Sequence, residues 1–344
     1  MIEGMEDAPG FAVHWAGQLG ARVRSLDRLR GGINNQVFRC SDGKHHWVIK
    51  GYAPAKPGQR DRMQAEVDFL RFAAQAAPGF TPALLQVDPE RRCVVLEHLE
   101  GEAFPEGLPP SEGEVGEAVE FFRQLNAEPR LARESIQLDA AEGFLSLREH
   151  LGNVRQRLEG MGCAHLEAAL RPQAETLLQQ LHTELAHTEE RTTSLIDQGL
   201  VADAIAPEAR CVSPSDFGFH NAVRTPQGSV FLDFEFSGWD DPCKTSIDFI
   251  LQPRVPLCRE STYLLSVLPI DRHSHTERRC KFLEPILRLK WIAIIVSIFN
   301  PCRLDAILLA TPTLDPQKLT CDRIISAQVA MKVFSDFSDP VKNL

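Results

Sequence analysis

Val212-Ser213-Pro214-Ser215-Asp216-Phe217-Gly218-Phe219-His220-Asn221, followed by Val230-Phe231-Leu232-Asp233-Phe234-Glu235, is the stretch on which the chain turns. An Asp is followed five residues later by an Asn, and a short apolar strand then delivers a second Asp. Phosphoryl transfer asks a protein mainly for positioning and charge neutralisation, and this arrangement supplies groups for both. Asp216 is suited to accept the proton of an acceptor hydroxyl, and Asn221 and Asp233 carry the hard oxygens that magnesium prefers. The D-x-x-x-x-N spacing alone arises by chance in many chains of this length. The apolar strand and the second Asp behind it single it out.

Asp216-Phe217-Gly218 also spells, letter for letter, the metal-binding motif of protein kinases. In that role it would need a catalytic loop upstream, near Asp197. Five residues beyond Asp197 stands Ala202, which cannot ligate a metal. Asp216 has its Asn, and Asn221 opens a hairpin whose Pro226-Gln227-Gly228 marks the turn. The literal motif therefore reads as the catalytic loop, with Asp233 as the metal aspartate.

Upstream, Phe11 to Leu19 has the pattern of a short helix. Leu29 to Cys40 places Gly31-Gly32 between two expected strands, and His46 to Lys50 reads as a third. A glycine turn lets backbone N–H groups approach phosphates, although such a turn is more often only a turn. Lys50 closes the strand after two β-branched residues. Arg60 to Ala77 follows as a helix with Met63, Val67, Leu70 and Ala74 on one stripe, and Glu66 beside it within reach of Lys50. Two further strands, Ala83 to Val87 and Cys93 to Leu96, are joined by Asp88-Pro89-Glu90-Arg91. The expected fold is α+β and bilobal: a small, mainly antiparallel-sheet lobe over 1–97, a hinge over 98–110 and a larger, mostly helical lobe over 111–344.

Beyond the hinge, Ser111 with Glu114 forms a capping box, and Val115, Val119, Phe122 and Leu125 line one face of the helix that follows. Leu166, Leu170, Ala174, Leu177, Leu181 and Leu185 make a longer stripe in which Pro172 marks a kink or a new start. Asp248 is expected to open an apolar helix as its N-cap or first-turn acid, or to brace the catalytic loop. Lys281 to Phe299 and Cys321 to Phe334 read as helices. His273 and His275 read as exposed loop residues.

Composition narrows the function. A net charge of −10 over 344 residues argues against a general nucleic-acid binder. From Leu251 onward 13 Lys and Arg face 9 Asp and Glu, a net of +4, so the first 250 residues carry −14. The Arg272, Arg278, Arg279 and Lys281 cluster is expected to be a solvated basic face. Nine cysteines with no C-x-x-C spacing fit reduced thiols better than a metal cage or disulfide framework. Glu3, Glu6 and Asp7 interrupt any signal peptide, and the longest apolar run, Trp291 to Phe299, is too short to span a bilayer. A cytoplasmic protein without membrane or nucleic-acid partners is the expectation. Its oligomeric state is not readable from the chain.

Together these features resemble the aminoglycoside phosphotransferase and choline kinase-like family of small-molecule kinases, which share the protein-kinase fold. The resemblance rests on Gly31-Gly32 with Asn34-Asn35, Lys50, Glu66, Glu97-His98-Leu99, Asp216 with Asn221, Asp233-Phe234-Glu235, and Asp241-Pro242 with Asp248. It implies ATP (or GTP) held by Gly32, Asn34, Asn35, Lys50, Glu66 and the Glu97–Leu99 hinge. It implies Mg2+ on Asn221 and Asp233, with Glu235 as a further ligand, and transfer to the hydroxyl of a small molecule with Asp216 as the catalytic base. The chain departs from the family pattern at Pro214, where a His is usual, and at Phe217-Gly218-Phe219-His220, where Leu-His-Pro-Gly is usual. A catalytically inactive nucleotide-binding regulator of the same fold is the alternative. A protein kinase is disfavoured, because no Ala-Pro-Glu ends an activation segment and Asp233 to Asp241 is too short for peptide docking.

Overall fold

The computed structural model describes residues 8–19, 23–29, 35–257, 267 and 275–337. In chain order the first elements are α1 (Gly10–Leu19), β1 (Ser25–Arg28), β2 (Asn35–Ser41), β3 (His46–Tyr52), α2 (Arg62–Ala76), β4 (Leu84–Asp88) and β5 (Cys93–Glu97). Their strands form one antiparallel sheet in the order β1-β2-β3-β5-β4. Strand β3 lies inside it, with Lys50 opposite Val37 on one side and Val94 on the other. That central register, rather than any local feature, is what buries a lysine.

Helix α2 starts at the N-cap Asp61, whose carboxylate accepts from the Gln64 amide and is gripped by the Arg92 guanidinium. Its buried side is wider than the expected stripe. Phe69, Phe72 and Ala73 join Met63, Val67 and Leu70, whereas Ala74 is exposed. The cause is packing on two sides, against β4 and β5 and against α3 (Glu112–Leu125) and α4 (Pro129–Ser135). Between β5 and α3 the chain makes a short β6 (Glu102–Ala103). The capping box of α3 is formed in both directions by Ser111 and Glu114. Its buried face, however, centres on Ala118, Phe121, Phe122 and Leu125, and Val115 and Val119 are only half-buried. Phe121 pulls the helix round, because its ring stacks on Phe231 at 5.1 Å and Phe80 at 5.4 Å.

There follow α5 (Leu147–Leu158), α6 (Arg171–Asp197), β7 (Cys211–Ser213), β8 (Ala222–Thr225), β9 (Gly228–Phe231), β10 (Gly238–Asp240), α7 (Pro242–Leu251), α8 (His275–Ile295), α9 (Pro301–Ala310) and α10 (Pro316–Phe337). Strands β7 and β10 pair antiparallel, and β6, β8 and β9 form a second small sheet. The contacts divide the chain into two compact units. The unit that holds the five-stranded sheet runs on to Gly143 and also takes in Cys211–Asp240. The other takes in Phe144–Arg210, Asp241–Gln252 and helices α8 to α10.

The helical unit has its own core, in which Leu147, Leu151 and Val154 of α5 meet Leu177, Leu181 and Leu185 of α6 and Leu283, Ile286, Leu287 and Leu289 of α8. Pro172 starts α6 rather than kinking it, as suits a residue whose missing N–H would have no helical partner. Leu166 lies ahead of that helix but joins the same core. Helix α7 opens one turn or more before Asp248. Its N-cap is Asp241, whose carboxylate accepts from the Cys243 amide, so Asp248 is not the capping acid. The expected basic face is also revised: Arg279 is buried, with Nε on Asp241 and its terminal nitrogens on the carbonyls of Ala202, Asp203 and Leu145. Arg278 and Lys281 are exposed, and Arg272 and His273 and the side chain of His275 lie outside the described residues.

Among the described residues no helix is long and apolar enough to cross a membrane. The eight described cysteines are free thiols. Burial pushes Cys40 and Cys93 up to about 11, which makes them inert packing residues.

Candidate active site

Lys50 is the centre of the site. Its ammonium donates to Glu66 Oε2 at 2.6 Å and to Asp233 Oδ1 at 2.6 Å, so a β3 strand, an α2 helix and the segment after β9 meet at one nitrogen. Glu66 is 1% exposed and also accepts from the Tyr52 hydroxyl at 2.6 Å. Burial alone would drive Lys50 toward neutrality, but the Glu66 and Asp233 carboxylates outweigh it and hold the ammonium well above its ordinary range. Burial and the same Glu66 push the Tyr52 phenol up, so it stays a donor.

Asp233 leaves β9 in the left-handed region, with φ of 65°, which is uncommon for a residue other than glycine. Its side chain keeps 36% of its surface exposed while Lys50 holds one oxygen. Two residues on, Glu235 is 2% exposed and accepts a hydrogen bond from Asn35 Nδ2, and Arg62 stands 4.0 Å from its other oxygen. Burial and then Asp233 push the Glu235 carboxyl upward. The backbone of this segment is held by Arg60, whose Nε donates to the Glu235 carbonyl at 3.0 Å and whose terminal nitrogens reach the carbonyls of Ser237 and Asp139.

Strand β7 delivers the other half. The Asn126 side chain both donates to the Val212 carbonyl and accepts from its amide, which pins the strand before the loop. Ser215 then turns through φ of 71°, its amide on Ser213 Oγ and its hydroxyl on the Ala141 carbonyl. Phe217 and Phe219 drop into a cluster of rings that includes Phe104, Phe121, Phe122 and Phe231. The aromatic anchors leave Asp216 facing outward, with 44% of its side chain exposed. Asn221 Nδ2 donates to the Asp216 carbonyl at 3.0 Å and to its Oδ2 at 3.1 Å, and His220 Nε2 lies 3.0 Å from Oδ1. The Leu232 amide donates to the Asn221 carbonyl, so the hairpin sets Asn221 one residue from Asp233 across the ladder.

Of the other residues named from sequence, Gly32 and Asn34 lie outside the described residues. Asn35 opens β2 and donates to Glu235. Glu97 ends β5 with an exposed side chain that accepts from the Ala83 amide, and Leu99 follows half-buried.

The family model described as the phosphotransferase enzyme family matches residues 25–244. The chain belongs to this family. The matched span of this phosphotransferase covers Lys50, Glu66, Asp216, Asn221 and Asp233. Among curated proteins none matches. Among solved structures the fold is similar to a choline/ethanolamine kinase family protein from Mesorhizobium loti, at 19% identity and a TM-score of 0.54, covering 95% of each chain. It is similar to a choline kinase from Cryptosporidium parvum at 13% identity and a TM-score of 0.56, covering 99% of this chain and 96% of that one. A spectinomycin phosphotransferase, solved with ADP and spectinomycin, matches at 12% identity and a TM-score of 0.56, covering 93% and 99%.

Sequence reasoning missed three contributors to this candidate site: Arg60, His220 and the ring cluster. Phe217 and Phe219 at alternate positions of a short loop carried the one usable signal, since two large apolar side chains so spaced need a core beneath them. Arg60 acts on carbonyls, which no side-chain pattern encodes.

The donor set fits magnesium. With Asn221 Nδ2 donating to Asp216, its amide oxygen is the group left to ligate, and the Asp233 carboxylate is partly open. Among the described residues no three His, Cys, Asp or Glu side chains form a metal cage.

Proposed function

We propose that this phosphotransferase moves the γ-phosphoryl group of ATP, or of GTP, to a hydroxyl of a small molecule in the cytoplasm. The observation that carries the reading is Lys50, buried and shared between Glu66 on α2 and Asp233 beyond β9. A lysine held that way has its charge fixed in place for nucleotide phosphates. Asp216, half-exposed on its own loop, takes the proton of the acceptor hydroxyl. The acceptor oxygen bonds the γ-phosphorus as the bond to the leaving diphosphate breaks. Asn221, Asp233 and Glu235 would hold Mg2+, which supplies neutralisation of the phosphate charge. The proposed nucleotide contacts are the turn bearing Gly32 and Asn34, then Asn35, and the Glu97–Leu99 segment as hinge.

The acceptor is a sugar, an amino alcohol or an aminoglycoside-like compound. Regional basicity does not choose among them, because Arg279 is used internally. A thermal-shift titration with ATP, with and without Mg2+, on wild type and Asp233→Ala tests the site. A magnesium-dependent rise in wild type that the variant loses supports it by mass action. Stabilisation with no acceptor phosphorylated would favour the inactive regulator. No shift with either nucleotide would sink the nucleotide reading.

A further inference from the structure

The hydrogen bonding around Asp216 assigns a second residue to the proposed chemistry. An aspartate with 44% of its side chain exposed, on a loop, is free to turn unless its oxygens are held. Each oxygen here has its own neighbour: Asn221 Nδ2 at 3.1 Å from Oδ2 and His220 Nε2 at 3.0 Å from Oδ1. A neighbour at each oxygen fixes the plane of the carboxylate as well as its position. On the other side of Asp216, Pro214 has no side-chain donor to offer.

His220 is in turn well fixed. Its side chain is 8% exposed, it sits in a single helical turn over Phe219–Asn221, and Phe219 beside it is fully buried among rings. The other ring nitrogen, Nδ1, is buried and has no hydrogen-bond partner among the described residues. A histidine kept only for packing is ordinarily satisfied at both nitrogens or replaced by an apolar residue, since an unpaired buried polar atom destabilises. Among the described residues its hydrogen bond is to Asp216. Because an ionised carboxylate only accepts, Nε2 is the nitrogen that donates in this pair.

We propose that His220 is a positioning residue that sets the plane of the Asp216 carboxylate for proton acceptance. The proposal rests on the phosphotransfer reading above. It does not touch nucleotide binding, which lies with Lys50 and Asp233.

The test compares His220→Leu, which removes the donor at similar volume, with His220→Gln and His220→Asn. The Gln amide nitrogen reaches to the level of Nε2, and the Asn amide stops short. The readouts are phosphate release from Mg2+-ATP with water as acceptor, KM for ATP, and the ATP-dependent thermal shift. His220→Leu and His220→Asn are expected to lower kcat by up to about a hundredfold, the cost of a misplaced reacting group. KM and the thermal shift stay at wild-type values, and His220→Gln recovers most of the rate. Should Leu fail to fold, the Gln and Asn pair carries the same contrast. Full activity in His220→Asn, or a loss that Gln does not restore and that takes the ATP shift with it, overturns the proposal. A wild type that binds Mg2+-ATP but releases no phosphate, alone or with hydroxyl acceptors, removes the phosphotransfer reading and this proposal with it. Imidazole nitrogen NMR in alkaline buffer gives a readout free of activity: a proton on Nε2 supports the assignment, and one on Nδ1 refutes it.

Discussion

Two lysine–carboxylate clusters lie in the two units of this chain, and they have similar chemistry. In the helical unit Lys290 donates to both oxygens of Asp248, at 2.6 and 2.7 Å, Trp291 Nε1 adds a bond at 2.8 Å, and Lys244 stands 3.5 Å away. In the sheet-bearing unit Lys50 bridges Glu66 and Asp233. Lys290 and Lys50 are equally buried, at 5% and 6% exposure. What differs is the acid. Asp248 is deep in an α-helix and closed to solvent, whereas Asp233 sits at positive φ on a segment end with a third of its side chain open. A buried pair is by itself a structural device. It becomes a site where one partner stays reachable and the backbone spends conformational energy to present it.

The largest expected effect is at Asp216. Asp216→Asn should lower kcat by on the order of a thousandfold while the ATP-dependent thermal shift survives, because it removes the proposed base and little ground-state binding. Steady-state kinetics beside thermal melts check it, and equal activity would undo the role assignment. The lysines come next. Lys290→Met should cost about 3–5 kcal/mol of stability, since it leaves Asp248 buried without its main partner, yet the nucleotide response should remain. Lys50→Met also strands a buried acid, but its signature is loss of the magnesium- and ATP-dependent shift. Urea unfolding with and without nucleotide separates the two. If both variants keep the shift, the distinction between the clusters fails.

The smallest effect is on pH dependence. Burial works to raise the Asp248 carboxyl, but Lys290 and Lys244 more than offset it and hold it below its ordinary 3.8. A lowered folded value means stability that is present above the unfolded value and is lost as pH falls through the folded one. Wild type should therefore lose stability below about pH 4, and Asp248→Asn should show a shallower slope there. The helical unit's cluster makes His150 a useful reporter: burial and then Lys244 and Lys290 push its imidazole well down, so it should remain neutral in mildly acidic buffer.

Much of this was legible in the chain. Strand and helix order from β2 to β5, the Ser111–Glu114 capping box, the β8–β9 turn and the pairing of Lys50 with Glu66 follow from short-range patterns whose physics is local: alternation, caps, turn residues and a charge matched to a charge. Three failures share one cause. Val115 and Val119 outranked Phe121 on helical periodicity, Ala74 outranked Ala73, and Arg278 to Lys281 looked like one basic face, because each reading assumed one exposed and one buried side. Phe121 is claimed by rings from Phe80, Phe217 and Phe231, far apart in sequence, and Arg279 by Asp241 and three carbonyls.

By itself the sequence determined which groups could do the chemistry, since residue type and spacing set charge, ligating atoms and strand ends. It also determined the family, whose matched span includes those groups. Tertiary structure alone decided what holds them. The Arg60 clamp on the Glu235, Ser237 and Asp139 carbonyls, the Asn35 bond to Glu235 across 200 residues, and the two-sided grip of His220 and Asn221 on Asp216 all depend on where backbones meet. Backbone acceptors are the same in every sequence, so no pattern of side chains announces which of them a distant arginine or asparagine will find.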